Sequence, residues 1–129
     1  MPHRFFLTRL LVLVSLAGLV AGCGSGAATG DLDKIQVAMS RFEITVTNAS
    51  GSTLMDVVAE IVPAGPGSHF VTRIGRMSSG EKRSLAHTSF SDRDSVPFGV
   101  RTAKPRRVIV SGQLVDGRTL RVELPFKQE

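Results

Sequence analysis

The sequence predicts an all-β protein, an antiparallel β-sandwich of about seven strands behind an N-terminal export segment. Three observations carry that prediction. Apolar and polar residues alternate with period two in several stretches. Clusters of Gly, Pro, Asn, Asp and Ser separate those stretches at short, regular spacing. Past the N-terminal segment, no stretch carries apolar residues at helical spacing over three turns with capping residues at its ends.

The first strand is expected over Arg41–Asn48, with Phe42, Ile44 and Val46 on one face and Glu43, Thr45 and Thr47 on the other. Asn48 to Ser52 supply side chains that bond their own backbone and a glycine that accepts positive φ, so a turn follows. Thr53 to Val62 reads as the second strand, placing Met55, Val57, Ala59 and Ile61 on one side. Pro63-Ala64-Gly65-Pro66-Gly67 breaks the pattern, and Ser68 to Arg76 makes a third strand with Phe70 and Ile74 on one face. Lys82 to Phe90 alternates less clearly and reads as an edge strand. Ser91 to Pro105 is a long connection, or a loop around a short strand at Pro97 to Arg101. Arg106 to Val115 and Thr119 to Phe126 are joined through Asp116-Gly117, which predicts a two-residue type I′ hairpin loop because both central positions need positive φ. Phe42, Phe70, Phe90, Phe98 and Phe126, with many Val, Ile and Leu, are the candidate core, since Trp and Tyr are absent.

The N-terminal segment has its own logic. His3, Arg4 and Arg9 form a positive start, and Leu10 to Val20 is an apolar run shorter than the roughly 20 residues that cross hydrocarbon. Small residues and the chain's single cysteine end it. Val20-Ala21-Gly22-Cys23 resembles the lipobox of bacterial lipoproteins. That resemblance implies cleavage before Cys23 after its sulfur has received a diacylglycerol, acylation of the new amino terminus, and anchoring to a membrane through lipid. With Gly24 in place of the Asp that favours inner-membrane retention, it implies the outer membrane where two membranes are present, with the domain in the periplasm or on the extracytoplasmic face. Residues 1–22 are then the signal peptide, 23–35 the lipidated cysteine and a flexible Gly/Ser-rich tether, and 36–129 the folded domain. Within that domain, Phe42 to Asn48 with Ser50-Gly51 and Leu54 resembles the first hairpin of small immunoglobulin-like domains in bacterial envelope proteins, which makes the expected fold an immunoglobulin-like sandwich.

Composition bounds the chemistry. The 16 Lys and Arg include Arg4 and Arg9, so after cleavage 14 face 11 Asp and Glu, a net charge of +3. A small soluble domain ordinarily carries a charge of roughly 2 to 8 in magnitude, and no nucleic-acid partner follows. One cysteine excludes an intramolecular disulfide. His69 and His87 are too few for a zinc site without distant carboxylates, and neither an HExxH nor a paired CxxC motif is present, so no metal or cofactor is expected. Many serines with Asp56, Asp92 or Asp94 assemble a triad only on paper, because the Gly-x-Ser-x-Gly elbow is missing. Asp92-Arg93-Asp94-Ser95 lacks the central Gly and closing Glu of a calcium loop. The glycines stand in turns and open no capped helix that would hold phosphate.

One local charge excess remains, Arg101, Lys104, Arg106 and Arg107, which suits an anionic ligand or partner. The functional expectation is a membrane-anchored, non-catalytic interaction or structural module, with another envelope protein as its partner. The alternative is a glycan- or anion-binding accessory lipoprotein that uses this basic cluster. Neither the partner nor an oligomeric state is specified by these residues.

Overall fold

The computed structural model describes residues 27–127; the lipobox, Cys23 included, lies outside the described residues. The described residues are all-β, with eight strands and one single-turn 3₁₀ helix at His87–Ser89. The strands are β1 (Thr29–Gly30), β2 (Ile35–Met39), β3 (Glu43–Asn48), β4 (Leu54–Pro63), β5 (Phe70–Met77), β6 (Lys82–Ala86), β7 (Pro105–Leu114) and β8 (Thr119–Pro125). They form two antiparallel sheets, β1-β8-β7-β4-β5 and β2-β3-β6, which pack as a sandwich.

Alternation builds the core. Ile44 and Val46 of β3, Ala59 and Ile61 of β4, Val108 and Val110 of β7 and Leu120 and Val122 of β8 all point inward and are buried. Phe90 and Phe98, from the β6–β7 connection, are buried with them. Each fully buried aliphatic or aromatic side chain contributes about 1.5 to 3 kcal/mol relative to exposure, so this layer holds the sheets together.

In four places tertiary geometry changes the sequence-based picture. Strand β4 breaks phase: Leu54 is buried while Met55 is 38% exposed. The cause is a bulge between Met55 and Val58, where Asp56 takes φ 50° and two residues oppose one on β7. The facing residue is Gly112, whose missing Cβ would stand 3.0 Å from Val57 Cγ2. Second, the β7–β8 connection is a three-residue loop, Val115-Asp116-Gly117, and the two-residue type I′ loop is not formed. Gly117 N–H donates to Leu114 O (2.9 Å), Leu114 N–H donates to Arg118 O (2.9 Å), and Gly117 alone has positive φ, 91°. Asp116 instead receives the Arg118 N–H (3.0 Å) and Arg118 Nε (2.8 Å).

Third, Phe42 is 74% exposed. It has the phase of Ile44, but the ladder starts at Glu43, after a turn in which Ser40 Oγ accepts the N–H groups of Phe42 (3.3 Å) and Glu43 (3.2 Å). Its ring therefore stands beyond the end of the sheet. Fourth, Thr29 to Ile35, placed by composition in the tether, belong to the sandwich. Thr29 and Gly30 pair with Glu123 and Val122, Asp31 Oδ2 accepts the Arg121 N–H (3.0 Å), and Ile35 is 1% exposed.

A buried polar side chain joins the two sheets at one end. Asn48 is fully buried; its Nδ2 donates to the carbonyls of Ser52 (2.7 Å), Ser78 (3.0 Å) and Met77 (3.1 Å), and its Oδ1 accepts from Ser50 N (3.1 Å) and Oγ (2.6 Å). The β3–β4 turn is thereby clamped to the β5–β6 turn.

Candidate basic end of the sandwich

Strand direction sorts the connections into two ends. At the end holding Asn48 lie the turns after β1, β3, β5 and β7. At the other lie the β2–β3 turn, the β4–β5 loop, the long β6–β7 connection and the chain following β8. Strand β1 runs antiparallel to β8, so the residues before Thr29 lead towards this second end, where Ala28 lines an apolar cleft with Met39, Leu124 and Lys127.

The four basic residues singled out from the sequence do not form one patch. Arg101 is exposed in the turn that follows Phe98, and Lys104 is exposed just before β7. Arg106 is exposed at the first turn of the β7 ladder, where its carbonyl accepts the Phe126 N–H (2.9 Å). Arg107 is turned away, because neighbouring strand residues point to opposite faces. It lies on the outer face of the five-stranded sheet and pairs with Glu123 (2.9 Å), which also meets Arg121 (3.2 Å). A cation held by a carboxylate is a poor ligand for a second anion, so Arg107 leaves the candidate set. Among the described residues, Arg101, Lys104 and Arg106 are in no ion pair.

Tertiary structure adds residues from elsewhere in the chain. Arg41 and Phe42 of the β2–β3 turn share a surface depression of about 860 Å³ with His87, Phe98, Val100 and Arg101. The Arg41 guanidinium stands 5.8 Å from the centroid of the Phe42 ring, within cation–π range. Lys127 follows β8 at the same end and donates its N–H to Met39 Sδ (3.4 Å). Sequence separation hid this grouping, although the pair Arg41-Phe42 immediately before a strand was a visible signal.

Beneath the depression lies an aromatic floor. Phe98 meets Phe70 edge-on (centroids 5.3 Å apart) and Phe126 at a tilt (6.1 Å), and His87 stands 5.6 Å from Phe126 and 6.0 Å from Phe98. His87 is 6% exposed, and among the described residues its Nε2 is buried with no hydrogen-bond partner. Burial among these rings holds its pKa below the ordinary 6.5, because a charged imidazole there would lose its hydration. The backbone fixes this corner: His87 N–H donates to Phe42 O (3.0 Å).

His69 lies elsewhere, in the β4–β5 loop, 3.2 Å from Glu60. Among the described residues, no group of three or more His, Cys, Asp or Glu is placed to hold a metal ion, and no helix is long and apolar enough to cross a membrane. No family model matches the chain, and neither the curated proteins nor the solved structures yield a significant match.

Proposed function

We propose that the chain is a membrane-anchored envelope lipoprotein whose immunoglobulin-like sandwich acts as a non-catalytic interaction or structural module, held by lipid on Cys23. The observation that carries this reading is the closeness of the only cysteine to the folded domain. Val20-Ala21-Gly22-Cys23 is followed, six residues beyond Cys23, by Thr29 already paired in a sheet. A domain on so short a leash works at the membrane surface and on what it meets there. The strand order supports the immunoglobulin-like reading. With β2 to β8 lettered A to G, the sheets are A-B-E and D-C-F-G, so the fourth strand has left the A-B-E-D sheet of antibody constant domains and joined the other. Its strand edges and the Ser91 to Pro105 connection are the surfaces offered to a second envelope protein.

The test is Cys23→Ala in cells fed labelled palmitate. The parent chain takes up label and fractionates with membranes; the variant takes up none. Equal labelling of both would defeat the proposal. A second reading, glycan or anion binding, is favoured by Arg101, Lys104 and Arg106 having no carboxylate partner among the described residues. Loss of glycan retention on changing these three to Ala, with the envelope partner kept, would select it.

A further inference from the structure

Resting on the lipoprotein reading, we infer that the sandwich stands on the membrane with its basic end down, Phe42 and the cations around it meeting anionic phospholipid headgroups. Three independent features converge on that end. The first is chain entry: β1 runs away from it, and Ala28 sits beside Leu124 and Lys127. Six residues from Cys23 to Thr29 span at most about 22 Å even when fully extended, so the anchored sulfur stays near this end.

The second feature is charge. Arg41, Arg101, Lys104, Arg106 and Lys127 all lie at this end and take part in no ion pair among the described residues. Among the described residues, the acids in the turns and connections of this end are Glu43, at the start of β3, and Asp92 and Asp94, which flank Arg93 on the β5 side, away from the chain entry. Glu60 and Glu123 stand nearby on the outer sheet face, paired with His69 and Arg107. The opposite end carries Asp31, Asp33, Glu81 and Asp116 together with Lys34, Lys82, Arg83 and Arg118, and Glu81 and Asp116 are paired with Arg83 and Arg118, so it has no cationic excess to draw it to an anionic surface.

The third feature is the exposed ring. An aromatic side chain beside an arginine suits the boundary between headgroups and acyl chains, where an apolar body and a charged neighbour are both accommodated. Val115, 76% exposed, is the comparable apolar residue at the far end, but it neighbours Asp116. The hydrogen bonds that Ser40 Oγ accepts from the Phe42 N–H and that the His87 N–H donates to Phe42 O fix the turn, so its backbone presents the ring without a further ordering cost.

The sole native cysteine, acylated in this reading, leaves no competing thiol, so Phe42→Cys and Asp116→Cys in the full mature lipoprotein each give one labelling site. Each would carry an environment-sensitive fluorophore in vesicles containing phosphatidylglycerol, with and without a lipid-borne quencher. The probe at 42 is expected to be quenched several-fold more than the probe at 116. That difference should shrink in phosphatidylcholine vesicles, and when ionic strength rises from about 0.1 M to about 1 M, which shortens the screening length from about 10 to about 3 Å. Arg101→Glu with Lys104→Glu and Arg106→Glu, placed on the Phe42→Cys chain, should have the same effect as removing the anionic lipid. Equal quenching at the two ends, or deeper quenching at 116, would overturn the orientation while acylated Cys23, read by intact mass, upholds the anchor. An unacylated mass would instead sink the anchor, and the orientation with it.

Discussion

Replacing Asn48 by Ala should remove the clamp between the two sheets and cost about 3 kcal/mol. The side chain has two N–H donors for three carbonyls, those of Ser52, Met77 and Ser78, so at any moment two bonds are made and one acceptor shares. The Oδ1 receives Ser50 N and Oγ, which closes the turn locally. At roughly 1 kcal/mol net for each bond, two donated by Nδ2 and one accepted by Oδ1 from the Ser50 N–H give about 3 kcal/mol, before any penalty for the buried Met77 carbonyl left unpaired. The Ser50 hydroxyl proton has Ser52 O as a second acceptor and so is left out. For a domain of about 100 residues that is a fall in Tm of roughly 12 to 24 °C, at 4 to 8 °C per kcal/mol. Thermal unfolding followed by circular dichroism measures it. Asn48→Asp is the informative companion: it keeps an oxygen for Ser50 but turns the other towards three carbonyls, and should be at least as unstable as the Ala variant. An Ala variant within about 1 kcal/mol of the parent, or an Asp variant more stable than Ala, would refute the clamp as the source of stability.

Two further perturbations probe the ends of the sandwich. In Gly30→Ala, a Cβ built on the φ +97° backbone would collide with the Arg121 carbonyl oxygen, so β1 should leave β8. The expected readout is faster amide exchange along Leu120 to Leu124 and new protease sensitivity before Ile35, with the rest of the sandwich unchanged. For His87, the folded state resists a proton that the unfolded chain accepts below about pH 6.5, so stability is complete above that pH and falls as pH drops, until folded His87 also protonates. Urea midpoints at about pH 7.5 and about pH 5.5 should therefore diverge more for the parent than for His87→Leu, and equal slopes would remove His87 as the cause.

The sequence determined the parts whose information is local. Period-two alternation located β3, β4, β5, β7 and β8 to within a few residues, since each side chain's face follows from its neighbours' polarity. It missed β2, although Ile35, Val37 and Met39 alternate visibly, because the tether expected over 23–35 takes in Ile35 and leaves only Val37 and Met39 as an apolar pair in the expected domain. Turn chemistry located the β7–β8 loop but not its length: Asp116-Gly117 fits either a two- or a three-residue loop, and the exposure of Val115 shows which one the ladder register chose.

Tertiary structure decided the rest. The bulge at Asp56 depends on Gly112 across the sheet, nearly 60 positions away, so Leu54 and not Met55 entered the core. The run Lys104 to Arg107 looked like one patch because adjacency in sequence is not adjacency in space; the pleat sent Arg107 to Glu123 and left Arg106 at the sandwich end. Arg41, Phe42 and Lys127 joined that end only because three strands happen to start or stop there. The residues themselves set which segments extend and which side of each is apolar, through forces reaching one or two neighbours. Which charges share a surface was settled by strand pairing between segments tens of residues apart.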